Sequence, residues 1–374
     1  MTSRRVVYEY AGCGIAVEAS DSSDSEWLSE FLRPDFEIRR GAHNATVLLN
    51  RDAAEFERLR ALGPHPSGEW VPVFGLDGRM EMLPIWTAPA AEAAVFHERA
   101  GAFLQRIGDQ AYRIASLPGQ PQARVTTLRA LREIASAAVA ESRASVLHAA
   151  AFAVQDKGFA IAGAKEAGKT TLLLQCLSRL DGRLVSSDRA TVRSAGRSVT
   201  VRGMPTIVSV RASSLAYLPH LADRFRANRD HHRYTLAESA RLAARAADAD
   251  KWSLTPGQLA KLLGVERAGE VPLAAVLFPR KTNRATGVAA TLLAQGEAAA
   301  RLAGACFDSG SLEGETFFRR DGHNRAPGSS PGDSARDLAL KVPCFDVALG
   351  TDAYAERQVE ELLTTVAGHA TALR

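Results

Sequence analysis

The chain has 374 residues, 46% of them hydrophobic and 24% charged, a composition that is ordinary for a globular protein and excludes a wholly disordered chain. At roughly 150 residues per domain, this length predicts two to three domains. The 46 basic and 42 acidic residues leave a net charge of +4, which is too small at this length to indicate a nucleic-acid-binding protein.

The four cysteines are spread along the chain, and no two of them are close in sequence. This spacing offers neither a zinc motif nor a disulfide framework, and it fits a reducing compartment. The first residues lack the apolar segment of a signal peptide, and no apolar run long enough to span a membrane follows. We therefore expect a cytoplasmic protein with no membrane partner.

Residues 1–88 are predicted to form a β-rich N-terminal domain. VVYEY (6–10) and GIAVEA (14–19) are short runs of β-branched and aromatic residues, which are typical of strands. A hairpin is predicted over residues 69–86, with Asp77 and Gly78 at its tip. The region contains no catalytic grouping, so it is interpreted as an accessory or assembly domain, with substrate recognition as the alternative.

Residues 89–144 are predicted to form a helical connector. Residues 89–117 are rich in alanine and show helical spacing, and a proline- and glycine-rich break follows them. A second helix is predicted over about 125–142, where apolar residues recur on one face.

Residues 145–374 are predicted to form an α/β domain, because strand and helix patterns alternate there. The predicted elements are the strands VLHAAAFAV (146–154), GFAIAG (158–163), RLVSSD (183–188), SVTVRG (198–203) and KVPCFDVAL (341–349), and the helices TTLLLQCLSRL (170–180) and 353–372. The basic stretch at 220–234 is interpreted as a solvated helix face, or as a surface that attracts an acidic substrate. Residues 319–336 are predicted to be a loop, either a linker or a substrate-gripping lid.

The strongest motif lies at residues 163–171 and matches the phosphate-binding pattern G-x-x-x-x-G-K-[ST] in full. A predicted buried strand precedes it and a predicted helix follows it, as the mechanism of such a loop requires. Its glycines let successive backbone N–H groups converge on an anion, and the helix adds its positive N-terminal dipole. In such loops the lysine reaches the β- and γ-phosphates, and the hydroxyl ligates Mg²⁺. The motif therefore predicts a site for ATP and Mg²⁺ formed by Gly163, Ala164, Lys165, Glu166, Ala167, Gly168, Lys169, Thr170 and Thr171.

Residues at the ends of neighbouring strands are predicted to complete this site. Asp188 ends RLVSSD, where its carboxylate would hold Mg²⁺ or take a proton from a hydroxyl, or would only cap a turn. His148 begins the strand before the loop strand and is either a core residue or part of the site. Arg202, near the end of SVTVRG, either neutralises phosphate charge or lies on the surface. Arg280 and Lys281, at the end of VPLAAVLFPRK, either contact phosphates of the nucleotide or acceptor or form a solvated strand end.

Four segments, in this order along the chain, resemble the catalytic domain of HPr kinase/phosphorylase and its related kinases. They are the strand that His148 begins, the phosphate-binding motif, the strand that Asp188 ends and the strand that ends in Arg202 and Gly203. The resemblance covers roughly residues 145–215. It implies an α/β P-loop kinase domain of the HPr kinase type, in which Asp188 is the general base that activates the acceptor hydroxyl and His148 lies near the phosphates. The chain departs from the bifunctional enzymes at Ser187, where they have an aspartate, and at Val201, where they have a glutamate.

The function predicted from the motif and the resemblance is transfer of the γ-phosphoryl group of ATP to a hydroxyl of a protein, a peptide or a small molecule. Asp188, His148 and Lys169 are the predicted catalytic residues, Arg202 joins the loop in binding the nucleotide, and Thr170 and Asp188 are the predicted Mg²⁺ ligands. The alternative is a non-catalytic accessory protein that binds nucleotide to switch or assemble a peptide-modifying complex. GTP or pyrophosphate in place of ATP, and a homo-oligomer, both stay open.

Overall fold

A computed structural model describes residues 4–63, 70–74, 80–86, 94–120, 122–142, 144–164, 166–227, 251–283, 287–307, 317–318, 331–350, 353 and 358–372. The chain forms two compact units, one of residues 1–142 with 309–325 and the other of residues 143–308 with 326–374.

The described residues form the strands β1 (Arg4–Tyr10), β2 (Cys13–Ala19), β3 (Glu37–Arg39), β4 (Ala45–Asn50), β5 (Trp70–Phe74), β6 (Met80–Trp86), β7 (Ala94–His97), β8 (Ala102–Gly108), β9 (Ala111–Ser116), β10 (Ser145–Val154), β11 (Lys157–Ala162), β12 (Arg183–Ser186), β13 (Arg189–Ala195), β14 (Ser198–Gly203), β15 (Val208–Arg211), β16 (Lys251–Leu254), β17 (Val271–Lys281), β18 (Val288–Leu292) and β19 (Cys344–Leu349). They form the helices α1 (Ser22–Leu32), α2 (Ala53–Arg60), α3 (Gln122–Glu141), α4 (Lys169–Arg179), α5 (Ala212–Leu215), α6 (Pro219–Ala227), α7 (Pro256–Leu263), α8 (Gln295–Ala305), α9 (Pro331–Lys341) and α10 (Gln358–Ala372).

The first unit is built on a mixed sheet whose described strands run in the order β3-β1-β2-β4-β9-β8-β7-β6-β5. β4 lies in the interior of the sheet, parallel to β2 on one side and to β9 on the other. Its side chains alternate between the faces, so that Ala45, Val47 and Leu49 are buried while the residues between them are partly exposed. The long helix α3 packs against β4 and β9. The predicted hairpin is present as the antiparallel pair β5 and β6, and its tip lies outside the described residues.

The helix predicted over residues 89–117 differs from the structure, which has strands β7, β8 and β9 in the described part of that range. Alanine content favoured a helix, but burial follows a period of two, since Tyr112 and Ile114 are buried on either side of a partly exposed Arg113. Gly101 separates two of these strands with a φ of 58°, a conformation that favours glycine. Within the predicted connector, the second helix is present as α3.

The second unit is built on a mixed sheet in which two long strands serve two sets of neighbours. β10 pairs through residues 145–148 with β13 and through residues 149–154 with β11, antiparallel in both cases. β17 is parallel to β11 and β19, while its first two residues pair with β14. β12 lies beside β10, and β18 lies beside β19. Helices and a mixed sheet therefore make this unit an α/β structure, with the described strands around β11 in the order β12-β10-β11-β17-β19-β18.

Alternating side chains create apolar cores on both faces of this sheet. Ile161 of β11 belongs to the core that also contains Leu173 and Leu177 of α4. Ala160, its neighbour in sequence, belongs to the other core, which contains Leu302 of α8. Complete burial of leucine is worth about 1.5–3 kcal/mol per side chain, so α4 is held firmly against the sheet. The segment between β11 and α4 is thereby fixed at both of its ends.

The later predicted elements are largely present. The predicted strand at 341–349 is β19, and the predicted closing helix at 353–372 is α10. Part of the predicted loop at 319–336 is helical, because α9 begins at Pro331, whose fixed φ suits the first turn of a helix; residues 319–330 lie outside the described part. Of the basic stretch at 220–234, α6 covers the residues up to Ala227, and the rest lies outside the described part. None of the described helices is both long and apolar enough to cross a membrane.

Candidate functional site

The segment between β11 and α4 has the backbone geometry of an anion-binding loop. Gly163 and Gly168 adopt φ values of 145° and 104°, which favour glycine, and Glu166 between them has a φ of 69°. Gly168 is the N-cap of α4 and supplies no side-chain cap. The first N–H groups of α4 are therefore left for a ligand at the positive end of the helix. Lys165 lies outside the described residues.

The ammonium of Lys169 lies over this loop. Its Nζ donates hydrogen bonds to the carbonyl oxygens of Gly163 at 2.7 Å and Ala164 at 2.9 Å. Burial lowers the pKa of Lys169, and the charge of Asp188 acts in the opposite direction. Ala167 closes the turn through its N–H, which donates to the Ala164 carbonyl at 3.3 Å. The loop is thus preformed, with a cation held at its centre.

Asp188 and His148 form a hydrogen-bonded pair beside the loop. The Nε2 atom of His148 lies 3.2 Å from Oδ1 of Asp188. Asp188 lies in the short connection between β12 and β13. His148 lies on β10, directly opposite Arg189, which is the first residue of the neighbouring strand β13. Because β10 runs antiparallel to β11, its early residues lie at the edge where β11 ends. The sheet therefore brings the predicted base, the predicted histidine and the phosphate loop to one edge.

Asp188 is held in its ionised form. Burial acts to raise the pKa of this carboxyl group, but the hydrogen bond and charge of His148, followed by the charges of Arg189 and Lys169, outweigh it and leave the pKa below its ordinary value. The side chain is still 47% exposed, so the carboxylate is open to the cavity described below. A carboxylate of this kind accepts a proton or ligates a cation.

Sequence patterns did not indicate the residues that pack around His148. Phe307, which follows α8, has its ring centroid 5.3 Å from that of His148. The guanidinium carbon of Arg189 lies 4.4 Å from the centroid of the same Phe307 ring. The Phe307 N–H donates to the carbonyl of Val146 at 2.8 Å, which fixes this residue beside β10. Phe307 therefore limits the orientations that the His148 ring can adopt.

A cavity of about 490 Å³ opens in front of the loop. The predicted residues that line it are His148, Glu166, Gly168, Lys169, Thr170, Thr171 and Asp188. A second part of its lining, called the β15–α5 wall below, consists of residues that the sequence pattern did not indicate: Ile207, Val208, Ser209, Arg211, Ser213 and Ser214. Ser187 and Lys281 also line it. The cavity is large enough for a polyphosphate with part of a nucleoside or an acceptor.

An ion pair joins the loop to the β15–α5 wall. Nη1 of Arg211, which ends β15, lies 2.9 Å from Oε1 of Glu166 in the loop. Both side chains are more than half exposed, so the pair adds little to stability. The Glu166 carboxylate thus connects the loop to the end of β15.

Arg202 is not brought to the cavity with the other predicted residues. Its Nε forms an ion pair with Oε2 of Glu270 at 3.5 Å. The other carboxylate oxygen, Oε1, accepts hydrogen bonds from Arg193 at 2.9 Å and from Thr200 at 2.5 Å. Arg202 is absent from the lining residues of the cavity as far as the structure describes them. The alternation of side chains along β14 is the reason. Val201 and Gly203, on either side of Arg202, are buried, so the Arg202 side chain lies on the opposite face of the strand.

The site fits a metal that arrives with its substrate. The described residues contain no cluster of three or more His, Cys, Asp or Glu side chains that would form an all-protein metal site. Mg²⁺ usually keeps one or two protein ligands together with water and substrate phosphates, and Thr170 and Asp188 both line the cavity. No protein-family model matches this chain, and no curated protein matches its sequence. The chemistry of the cavity is therefore inferred from its own side chains.

Proposed function

We propose that this protein is an ATP-dependent kinase of the HPr kinase type that transfers the γ-phosphoryl group to a hydroxyl. One observation carries the proposal: the hydrogen-bonded Asp188 carboxylate lines the same cavity as Lys169 and Thr170 of the phosphate loop. A kinase needs a phosphate-binding loop and a general base in the same cavity. A loop that matched the motif by chance would not require a carboxylate beside it.

The loop and α4 bind the donor in this proposal. Backbone N–H groups around Gly168 and the positive end of α4 hold the phosphates, and Lys169 exchanges its loop carbonyls for phosphate oxygens. Thr170 and Asp188 are the side chains that would ligate Mg²⁺, which neutralises phosphate charge when bound.

Asp188 acts as the general base. It takes the proton from the acceptor hydroxyl while the acceptor oxygen forms a bond to the γ-phosphorus. The bond between the γ-phosphorus and the β,γ-bridging oxygen breaks, and ADP is released. His148 positions the carboxylate through its hydrogen bond. Positioning and charge stabilise transition states of this kind, so few other groups are required.

The acceptor is a serine or threonine of a protein or peptide, or a small-molecule alcohol, in a cytoplasmic setting. The serine-rich wall at Ser209, Ser213 and Ser214 supplies hydroxyl groups that would hydrogen-bond a polar acceptor.

A nucleotide-dependent switch without transfer activity is the second candidate. Ser187 lines the cavity. The bifunctional HPr kinase/phosphorylases that this chain resembles have an aspartate at this position, so one of their carboxylates is missing here. Such a protein would bind ATP in the same loop and change conformation or partner without passing on the phosphoryl group.

Labelled-phosphate transfer separates the two candidates. The protein is mixed with γ-labelled ATP, Mg²⁺ and a panel of peptide and small-molecule alcohols, beside the variants Asp188→Asn and Asp156→Asn. Asp156 lies in the β10–β11 turn with a fully exposed side chain, so its variant controls for the same loss of charge. The kinase proposal expects Asp188→Asn to lose about 10²–10⁴-fold in rate and Asp156→Asn to keep the parent rate. Equal transfer by parent and Asp188→Asn, or binding of ATP without transfer to any acceptor, would refute it.

A further inference from the structure

We propose that Lys281 binds the phosphates of the nucleotide donor, on the side of the loop away from Asp188. This inference rests on the proposed function and adds a donor-binding residue to it. Lys281 is the last residue of β17 and lies outside the phosphate-loop motif. It lines the same cavity as Lys169 and Asp188.

The sheet brings Lys281 next to the loop. β17 is the parallel neighbour of β11, with Leu277 paired to Ile161. Two residues further along each strand, Pro279 comes so close to Gly163 that a Cβ on this glycine would lie 3.9 Å from the proline Cδ. Both strands therefore end at the same edge, and Lys281 lies beside the loop as β17 ends.

Strand alternation sends the two neighbouring cations to different faces. Arg280 follows Phe278 toward α8, and its Nε lies 2.6 Å from Oδ2 of Asp346. Lys281 follows Leu277 toward the face that carries α4. Of the two cations that the sequence left open, only Lys281 lines the cavity.

Lys281 is an available positive charge. Its side chain is exposed, and no described residue forms an ion pair or a side-chain hydrogen bond with it. The other two cations of the cavity are engaged, Lys169 with loop carbonyls and Arg211 with Glu166. A lysine on a cavity wall beside an anion-binding loop fits a phosphate as a flexible point charge.

The strand order decides which phosphate it meets. β12 and β10, which place Asp188 and His148, lie on one side of β11, and β17 lies on the other. In the proposed reaction the γ-phosphate faces Asp188. Lys281 therefore contacts the phosphates nearer to the nucleoside, which ATP and ADP share, and does not contact the acceptor.

Equilibrium titrations with Mg–ATP and Mg–ADP test this assignment. The variants are Lys281→Met, Lys281→Arg and, as a control with the same change of charge, Lys261→Met on α7, an exposed lysine that does not line the cavity. We expect Lys281→Met to weaken ATP and ADP equally, by about five- to tenfold, because one charge-assisted hydrogen bond to phosphate is lost. Lys281→Arg keeps the charge and restores most of the affinity, and Lys261→Met binds like the parent. The KM of any acceptor stays unchanged in Lys281→Met.

Several results would overturn the assignment: unchanged nucleotide affinity in Lys281→Met, equal losses in Lys281→Met and Lys261→Met, a loss for ATP alone, or a change only in the KM of the acceptor. Failure of the kinase proposal has a different signature. A parent protein that binds both nucleotides but transfers no phosphate, with affinity reduced in Lys281→Met, would refute the kinase and support Lys281 as a donor ligand.

Discussion

The carboxylate of Asp346 provides a quantitative test of the sheet that carries the phosphate loop. Asp346 lies on β19 and accepts hydrogen bonds from Arg280 Nε at 2.6 Å and from Arg301 Nη1 at 2.7 Å. Burial acts to raise its pKa, but these two guanidinium groups outweigh burial and hold the pKa below its ordinary value of about 3.8. The carboxylate therefore ties the end of β17 to β19 and α8.

Replacing this residue in Asp346→Asn removes the charge and keeps the size. A hydrogen bond to a charged group contributes about 1.5–3 kcal/mol, and the amide can still accept from one arginine. The side chains of Arg280 and Arg301 are 57% and 33% exposed, so both reach water after the change. The loss therefore stays below the roughly 3–5 kcal/mol of an uncompensated buried charge, and we expect about 2 kcal/mol.

Hydrogen exchange of the β17 and β19 amides at increasing urea measures this loss within the second unit. Asp337→Asn is the control, because Asp337 forms an exposed ion pair with Lys341 whose loss costs less than about 1 kcal/mol. Since the folded pKa of Asp346 is lowered, its contribution is complete above the unfolded value near 3.8 and disappears as the pH falls through the folded value. A difference between parent and Asp346→Asn below about 0.5 kcal/mol at neutral pH, or one that persists undiminished at the acid end, would refute this reasoning.

Two other measurements examine packing in the second unit. Gly158→Ala places a Cβ 3.0 Å from the carbonyl oxygen of Pro272, so we expect a loss of about 1–3 kcal/mol in urea unfolding. Gly304→Ala, where a Cβ meets nothing within 4 Å on the exposed side of α8, should instead gain about 0.5–1 kcal/mol, and a shared direction of change would contradict this packing. A thiol reagent at about pH 8 should modify the partly exposed Cys306 well before Cys344, whose pKa burial raises to about 12; similar rates in the folded protein would be inconsistent with the structure.

The turn between β11 and α4 was predictable because the residues that form it are contiguous in sequence. Gly163 and Gly168 adopt positive φ values and Lys169 begins the helix, so the spacing of the motif alone predicts this local geometry. His148 and Asp188 were each predicted to belong to the site, but their contact with each other was not predicted, because it depends on antiparallel pairing between distant segments. Residue type and spacing do not encode that geometry.

The β15–α5 wall of the cavity and the position of Arg202 depend on tertiary packing. Ile207 to Ser214 carry no motif, and they line the cavity because β15 and α5 pack into the same core as α4. Arg202 was assigned by its place near a strand end, but its strand face directs it to Glu270. In the first unit, the alanine-rich composition led to the prediction of a helix around Tyr112, where the structure has a strand. The two-residue period of burial that marks this strand depends on its neighbouring strands, so it is not visible in the sequence.

Binding of Mg–ATP to three forms of the protein tests the central claim most directly. The claim is that residues 163–171 hold a nucleotide polyphosphate, with an ionised carboxylate facing it. Calorimetric titration should show that Lys169→Met loses at least about tenfold in affinity, because a charged phosphate contact is removed. Asp188→Asn should bind ATP without Mg²⁺ as tightly as the parent or more tightly, because a negative charge beside the phosphates is removed. Added Mg²⁺ should raise its affinity for ATP less than it raises that of the parent, because one of the proposed Mg²⁺ ligands is lost. A parent protein that does not bind Mg–ATP, or a Lys169→Met variant that binds it with unchanged affinity, would contradict the account.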